Sequence, residues 1–127
     1  MANPFVHIEL DTNNLGKAKE FYGALFDWDL KDNKMGPTDI YTSIDVGKGT
    51  GGGMLKHPMA GEPSLWIPYV DVPDVAAATK KAKSLGAKII KENQTVPNMG
   101  VYSLIIDPTG ATIGLWEDRS DGSASRH

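Results

Sequence analysis

His7 and Glu9 are the residues of this 127-residue chain best spaced for chemistry. They stand two apart in Phe5-Val6-His7-Ile8-Glu9-Leu10, a run that alternates in type and is rich in strand formers. Residues i and i+2 of a strand share a face, so an imidazole and a carboxylate stand side by side there. Such a pair could supply two donors to a metal, with His57 or Asp45 approaching to extend the set. It could also move a proton: Glu9 in a partly apolar groove would have a raised pKa and act as a base, with His7 or Tyr69 as its partner. The plain structural reading has His7 bonded to a neighbour and Glu9 solvated or paired. With no cysteine in the chain, disulfides, thiolate catalysis and thiolate metal sites are excluded. No nucleophile elbow is present. The glycine-dense stretch from Gly47 to Gly53 lacks the Gly-Lys-Ser/Thr and strand–helix context of a phosphate loop, and suits a tight turn and close strand approach.

The elements that carry these residues repeat. Val6 to Lys31 and Trp66 to Lys91 match without a gap at an offset of sixty residues: Asp11 with Asp71, Ala18 with Ala78, Leu25 with Leu85, Lys31 with Lys91, and further on Leu55 with Leu115. Apolar type is kept at Leu10/Val70, Leu15/Val75 and Leu30/Ile90. Two copies of a pattern are too few for a solenoid and point to one domain built by duplication. In the first copy, a strand leads to Thr12-Asn13-Asn14, which can cap a helix. Leu15, Ala18, Phe21, Tyr22, Leu25 and Phe26 then form an apolar helical stripe. Strands follow at Trp28 to Lys31, Ile40 to Val46 and Met54 to Lys56, with a loop at Lys34 to Pro37. The segment His57 to Pro63 links the halves. In the second copy Leu65 to Val72 is a strand, Pro73 suits a first helical turn, and Val75, Ala78, Ala82 and Leu85 form the stripe, which Gly86 stops. Strands at Lys88–Lys91, Val101–Ile106 and Thr112–Trp116 follow, the last two joined by the turn Asp107-Pro108-Thr109-Gly110. Asp118 to His127 reads as a polar tail.

Phe21-Tyr22 with Phe26-Asp27-Trp28, Asp107 to Gly110, and Gly114-Leu115-Trp116-Glu117, together with the duplication, resemble the vicinal oxygen chelate superfamily of glyoxalase I, bleomycin-resistance proteins and extradiol dioxygenases. The resemblance covers about residues 4 to 117. It implies an α+β fold: two βαβββ modules, 4–57 and 64–117, joined by 58–63 and forming a curved eight-stranded mixed sheet with helices outside. Active members of that superfamily hold a divalent metal by up to four side chains, typically His and Glu from the first and last strands of each module. On this chain those positions fall at His7, at Met54 (Gly53 if the register slips by one), at Ile67 and at Gly114. Isoleucine and glycine side chains offer no donor and a thioether suits hard cations poorly. The expectation is no metal and no cofactor.

Alternation then names the lining of a groove. With His7 facing inward, Phe5, Glu9 and Asp11 do too, while Val6, Ile8 and Leu10 face a helix. Their counterparts are Ile67, Tyr69 and Asp71, with Met54, Lys56, Thr112, Gly114 and Trp116 from the last strands. Tyr41 and Ser43, opposed by Tyr102 and Leu104, complete the set. Aromatic walls with a few polar groups characterise small-molecule pockets. The rings of Tyr69 and Tyr102 serve a ligand wall or a core equally well, whereas Trp66 suits the core. The expected ligand-binding residues are His7, Glu9, Tyr41, Ser43, Met54, Ile67, Tyr69, Tyr102, Gly114 and Trp116, with Glu9 and His7 as the candidates for any catalysis.

Composition bounds the function. The net charge of −3, without a dense run of Lys or Arg, argues against nucleic acid as a partner. No apolar run approaches the ~20 residues of a membrane helix, and Met1-Ala2-Asn3-Pro4 lacks the features of a signal peptide. The expectation is a cytoplasmic, homodimeric, metal-independent binder of an unknown small organic molecule. The alternatives are a glyoxalase- or dioxygenase-like enzyme using His7 and Glu9, or a protein-interaction module.

Overall fold

The computed structural model of the protein describes residues 2–34, 39–57 and 61–119. Its elements follow the order β1 (Phe5–Thr12), α1 (Leu15–Leu25), β2 (Asp29–Lys34), β3 (Ile40–Asp45), β4 (Gly52–Lys56), β5 (Leu65–Asp71), α2 (Val75–Ser84), β6 (Lys88–Val96), β7 (Gly100–Ile106) and β8 (Thr112–Asp118). This is strand, helix and three strands, twice over, with eight strands in parallel and antiparallel pairs. The expected loop at 35–37, part of the linker (58–60) and the tail from 120 lie outside the described residues. Asp118, expected in the tail, closes β8. Both helices begin as the repeat requires. Asn14 accepts from Lys17 N at 3.0 Å, and Asp74, sixty residues on, accepts from Ala77 N at 3.1 Å. Pro73 therefore stands ahead of the cap and not in the first turn. Gly86, at φ 101°, follows the C-cap Leu85 in the left-handed conformation that ends a helix at glycine.

The chain divides into two compact units, one from His7 to Ile67 and the other formed by the residues before His7 together with those from Pro68 onward. In the first, the strand order is β2-β3-β4-β1. β4 runs parallel to β1 and antiparallel to β3. The core is Leu10, Ile44 and Met54, closed by Leu15, Ala18, Tyr22, Trp28, Leu30 and Val46. Only part of the helical stripe is used: Phe21, Leu25 and Phe26 are 59%, 56% and 44% exposed. Trp66, expected in the core, is also exposed, donating its N–H to Tyr22 Oη at 3.3 Å and meeting the Trp28 ring edge-on at 6.3 Å.

In the second unit the order is β5-β8-β7-β6, with β8 parallel to β5 and β7 antiparallel to its two neighbours. Val72, Val75 and Val101 form the core with Ala78 and Leu115. Leu85, assigned to the stripe by spacing, is exposed, while Thr79, which spacing passed over, is buried. Its hydroxyl donates to the Val75 carbonyl at 2.6 Å and lies 2.7 Å from Ser103 Oγ, which accepts from Asn93 N at 3.0 Å.

Asn93 marks where the sixty-residue offset fails. β6 shifts register against β7 between Ile89 and Lys91 and again between Lys91 and Gln94, and Asn93 has a φ of 51°. Each bulge places an extra residue on β6. Asn33 pairs with Tyr41 in β2–β3, whereas Gln94 pairs with Tyr102 in β6–β7. From the third strand onward the equivalence runs at sixty-one, so Tyr41 matches Tyr102 and Gly53 matches Gly114. The Leu55/Leu115 match is thus one of letters: Leu115 packs toward α2, while Leu55 alternates away from the helix-side Met54. Ile90 is likewise exposed where Leu30 is packed.

Candidate functional site

In the unit His7–Ile67, the sheet face turned away from α1 carries the expected polar group. β1 presents His7 and Glu9 together, and β3 brings Tyr41 to meet them. Tyr41 Oη and His7 Nε2 are 2.9 Å apart, a hydrogen bond in which the phenol donates when that nitrogen is bare and accepts when it is protonated. Their rings lie nearly parallel, 16° between planes and 6.4 Å between centroids. Glu9 Oε1 stands 3.8 Å from the same nitrogen, an ion pair whenever His7 is charged. Burial, then the negative charges of Glu9 and Asp11, push the Tyr41 phenol well above its ordinary pKa. It therefore serves as a neutral hydrogen-bonding group over the working range of pH. Ser43 lies on the same face, bound by the Asn33 amide at 2.8 Å.

Met54 does not join them. Leu10 pairs with Met54 and Glu9 with Gly53 across β1–β4, and Met54 is fully buried on the α1 side. The inward position is Gly53, the slipped register. A Cβ there would overlap the Tyr41 phenol, so the tyrosine fills the space a side chain of β4 would have taken.

The second unit repeats this device with other partners. A Cβ on Gly114 would run into the ring of Tyr69, its cross-strand neighbour. Tyr69 is 4% exposed and meets Tyr102 edge-on at 6.0 Å, and Tyr102 pairs with Trp116 across β7–β8. Glu117 is committed to structure, its Oε1 accepting from Val75 N at the start of α2 and its Oε2 bound by Arg119. Ile67 is a buried aliphatic residue, 2% exposed.

The metal that the resemblance implies does not fit these residues. Its four positions hold one imidazole (His7), two glycines (Gly53 and Gly114) whose side-chain space is filled by tyrosine, and Ile67. Catalytic metal sites of zinc type normally keep three protein ligands. Nor do His57 and Asp45 complete a set: among the described residues no group of three or more His, Asp or Glu could hold a metal ion. The signal for the slipped register was present as the recurrence of Tyr and Gly at sixty-one residues, but the longer ungapped match at sixty concealed it.

Comparison with known proteins agrees with this architecture. The model of the Glyoxalase/Bleomycin resistance protein/Dioxygenase superfamily matches residues 5–115. Over 124 residues the chain is 31% identical to "Putative glyoxylase CFP32" of Mycobacterium bovis, covering 94% of this chain and 45% of that protein. It is 24% identical to the anthracycline biosynthesis protein DnrV of Streptomyces peucetius, covering 85% of this chain and 44% of that one. The chain thus spans about half the length of the curated relatives it matches. Among solved structures, hypothetical protein BH1468 from Bacillus halodurans C-125 superposes with a TM-score of 0.71 at 14% identity, covering 95% of this chain and 98% of that one. Methylmalonyl-CoA epimerase from Mycobacterium tuberculosis gives 0.70 at 15% identity, covering 94% and 91%. At such identities the likeness is one of fold.

Proposed function

This chain belongs to the Glyoxalase/Bleomycin resistance protein/Dioxygenase superfamily, and on that premise we propose that it binds a small organic molecule without a transition metal. The observation that carries this reading is Tyr41 lying where a β4 ligand would stand, with its hydroxyl on the one donor left, His7 Nε2. The phenol, the imidazole and the Glu9 carboxylate then act as hydrogen-bonding groups for a polar part of the ligand, with Ser43 beside them. In the other unit, Tyr69, Tyr102, Gly114 and Trp116 form a set of their own on one face of its strands. A cytoplasmic setting is part of the same reading, and among the described residues no helix is long and apolar enough to cross a membrane. The working form is a homodimer.

Metal titration tests the reading directly. An ion held only by the native state would stabilise it by about 2.7 kcal/mol at a hundredfold excess over its dissociation constant. Nickel, zinc and manganese are expected to leave the melting temperature unchanged. A clear rise that His7→Ala abolishes would overturn the metal-free reading.

A second reading, metal-free proton transfer, draws on the relative named as a putative glyoxylase and on Glu9 standing 3.8 Å from an imidazole that also meets a phenol. In it Glu9 takes a proton from a carbon acid and Tyr41 donates a hydrogen bond to the developing oxyanion. Loss of solvent-deuterium exchange into such a ligand with Glu9→Gln, binding being kept, would favour this enzyme over a simple binder.

A further inference from the structure

The unit that begins at Pro68 keeps the rings of its tyrosines and its tryptophan on one face of its strands. Toward α2 it packs Val72, Val75, Val101, Ala78 and Leu115, all aliphatic. Its two tyrosines and its one tryptophan, Tyr69, Tyr102 and Trp116, stand on the other face, as the pairing of Tyr69 with Gly114 and of Tyr102 with Trp116 requires. Two of these rings rest on glycine. Tyr69 covers Gly114, and the six-membered ring of Trp116 covers Gly100, where a Cβ would lie 2.6 Å from Cζ2. Tyr69 is buried, whereas Tyr102 and Trp116 are only half-buried, and neither the Tyr102 hydroxyl nor the Trp116 indole N–H makes a hydrogen bond among the described residues.

From this geometry we infer that the half-buried rings of Tyr102 and Trp116, with the buried ring of Tyr69 edge-on to Tyr102, form a stacking platform for a planar aromatic ligand bearing oxygen acceptors. The inference rests on the small-molecule reading above and names the chemical class that this face takes. Flat π systems gain from offset and edge-on contact with such rings beyond the area they bury. The phenol and indole donors at the rim meet acceptor oxygens on the ligand's edge. A saturated molecule of equal size gains only the burial.

The test uses 1,4-dihydroxyanthraquinone as the planar probe and 1-adamantanol as the saturated one, each titrated by calorimetry and by quenching of intrinsic fluorescence. The quinone is expected to bind and to quench emission. Trp116→Phe keeps a ring but gives up the indole N–H, and is expected to bind the quinone more weakly than the wild type and more tightly than Trp116→Ala. Trp116→Ala and Tyr102→Leu are each expected to weaken binding at least about fivefold, the equivalent of one aromatic contact. Thermal melts establish that both remain folded, and Tyr102→Leu carries the test if Trp116→Ala does not fold. Adamantanol binding as tightly as the quinone, or quinone affinity unmoved by both variants, overturns the platform and leaves the small-molecule reading standing. No binding of either probe overturns the platform as well. A thermal-shift screen of non-aromatic compounds then decides the small-molecule reading separately.

Discussion

Tyr41 is hydrogen-bonded to His7 within the field of Glu9 and Asp11, and its protonation has a measurable consequence. Burial and the charges of Glu9 and Asp11 raise its pKa in the folded chain, while in the unfolded chain it ionises near 10. Below about pH 10 the phenol is protonated in both states, and its contribution to stability is fully present. Above that, the unfolded chain releases a proton that the folded chain retains, so stability falls as pH rises, by at most about 1.4 kcal/mol per unit. Urea midpoints of the wild type and Tyr41→Phe at about pH 8 and pH 11 measure this. The variant is expected to lose less on going to the higher pH. Equal losses would mean that Tyr41 titrates as an ordinary tyrosine and that its surroundings are more open than the His7 bond implies.

Among the elements, α2 and β7 are joined through a polar contact in an otherwise aliphatic layer. Thr79 and Ser103 are 1% and 0% exposed, and their hydroxyls satisfy each other, the Val75 carbonyl and the Asn93 amide at the β6 bulge. A buried polar group stripped of its partner costs more than the bond itself contributed. Thr79→Val is therefore expected to destabilise by roughly 1–3 kcal/mol in urea denaturation. Thr79→Val combined with Ser103→Ala should cost less than the two single changes added together, because each single change already breaks their shared contact. Strict additivity would show that the hydroxyls act independently. The contact also accounts for the bulge residue Asn93, whose positive φ is tolerated because Asn enters the left-handed region more readily than most residues.

For the whole molecule, the proposed homodimer draws its support from α1 and not from the strand edges. β2 carries Asp29, Lys31, Asp32 and Lys34, and β6 is charged and bulged, both devices that discourage edge pairing. Phe21, Leu25 and Phe26, in contrast, expose apolar surface from one helix and its C-cap, and contiguous apolar surface of this kind marks contact sites. Sedimentation velocity at about 10 µM is expected to give twice the monomer mass, and Phe21→Glu to return the protein to monomer without lowering its melting temperature. A wild-type monomer at that concentration rules out the dimer. A dimer indifferent to Phe21→Glu rules out this surface.

Local signals in the sequence determined the duplication, the element order and the start of α1. Alternation gave the face shared by His7 and Glu9, and Asn14 caps α1 within the segment read as its cap, whereas Pro73, read into the first turn of the second helix, stands ahead of the cap Asp74. Each of these depends on neighbours within a few residues, and a period-two or period-3.6 pattern records such neighbours faithfully. Tertiary structure alone decided which letters of the two halves are equivalent beyond β2, because a bulge is a property of two paired strands and not of the one that carries it. It moved the inward position from Met54 to Gly53 and separated Leu55 from Leu115. It also decided that tyrosines fill the places of missing ligands: Gly53 and Gly114 read as absences until Tyr41 and Tyr69 reach across from neighbouring strands. Exposure of Phe21, Leu25 and Phe26 was hidden for a related reason. Helical spacing marks a face that can be buried, but the width of the sheet beneath it decides how much of that face is covered.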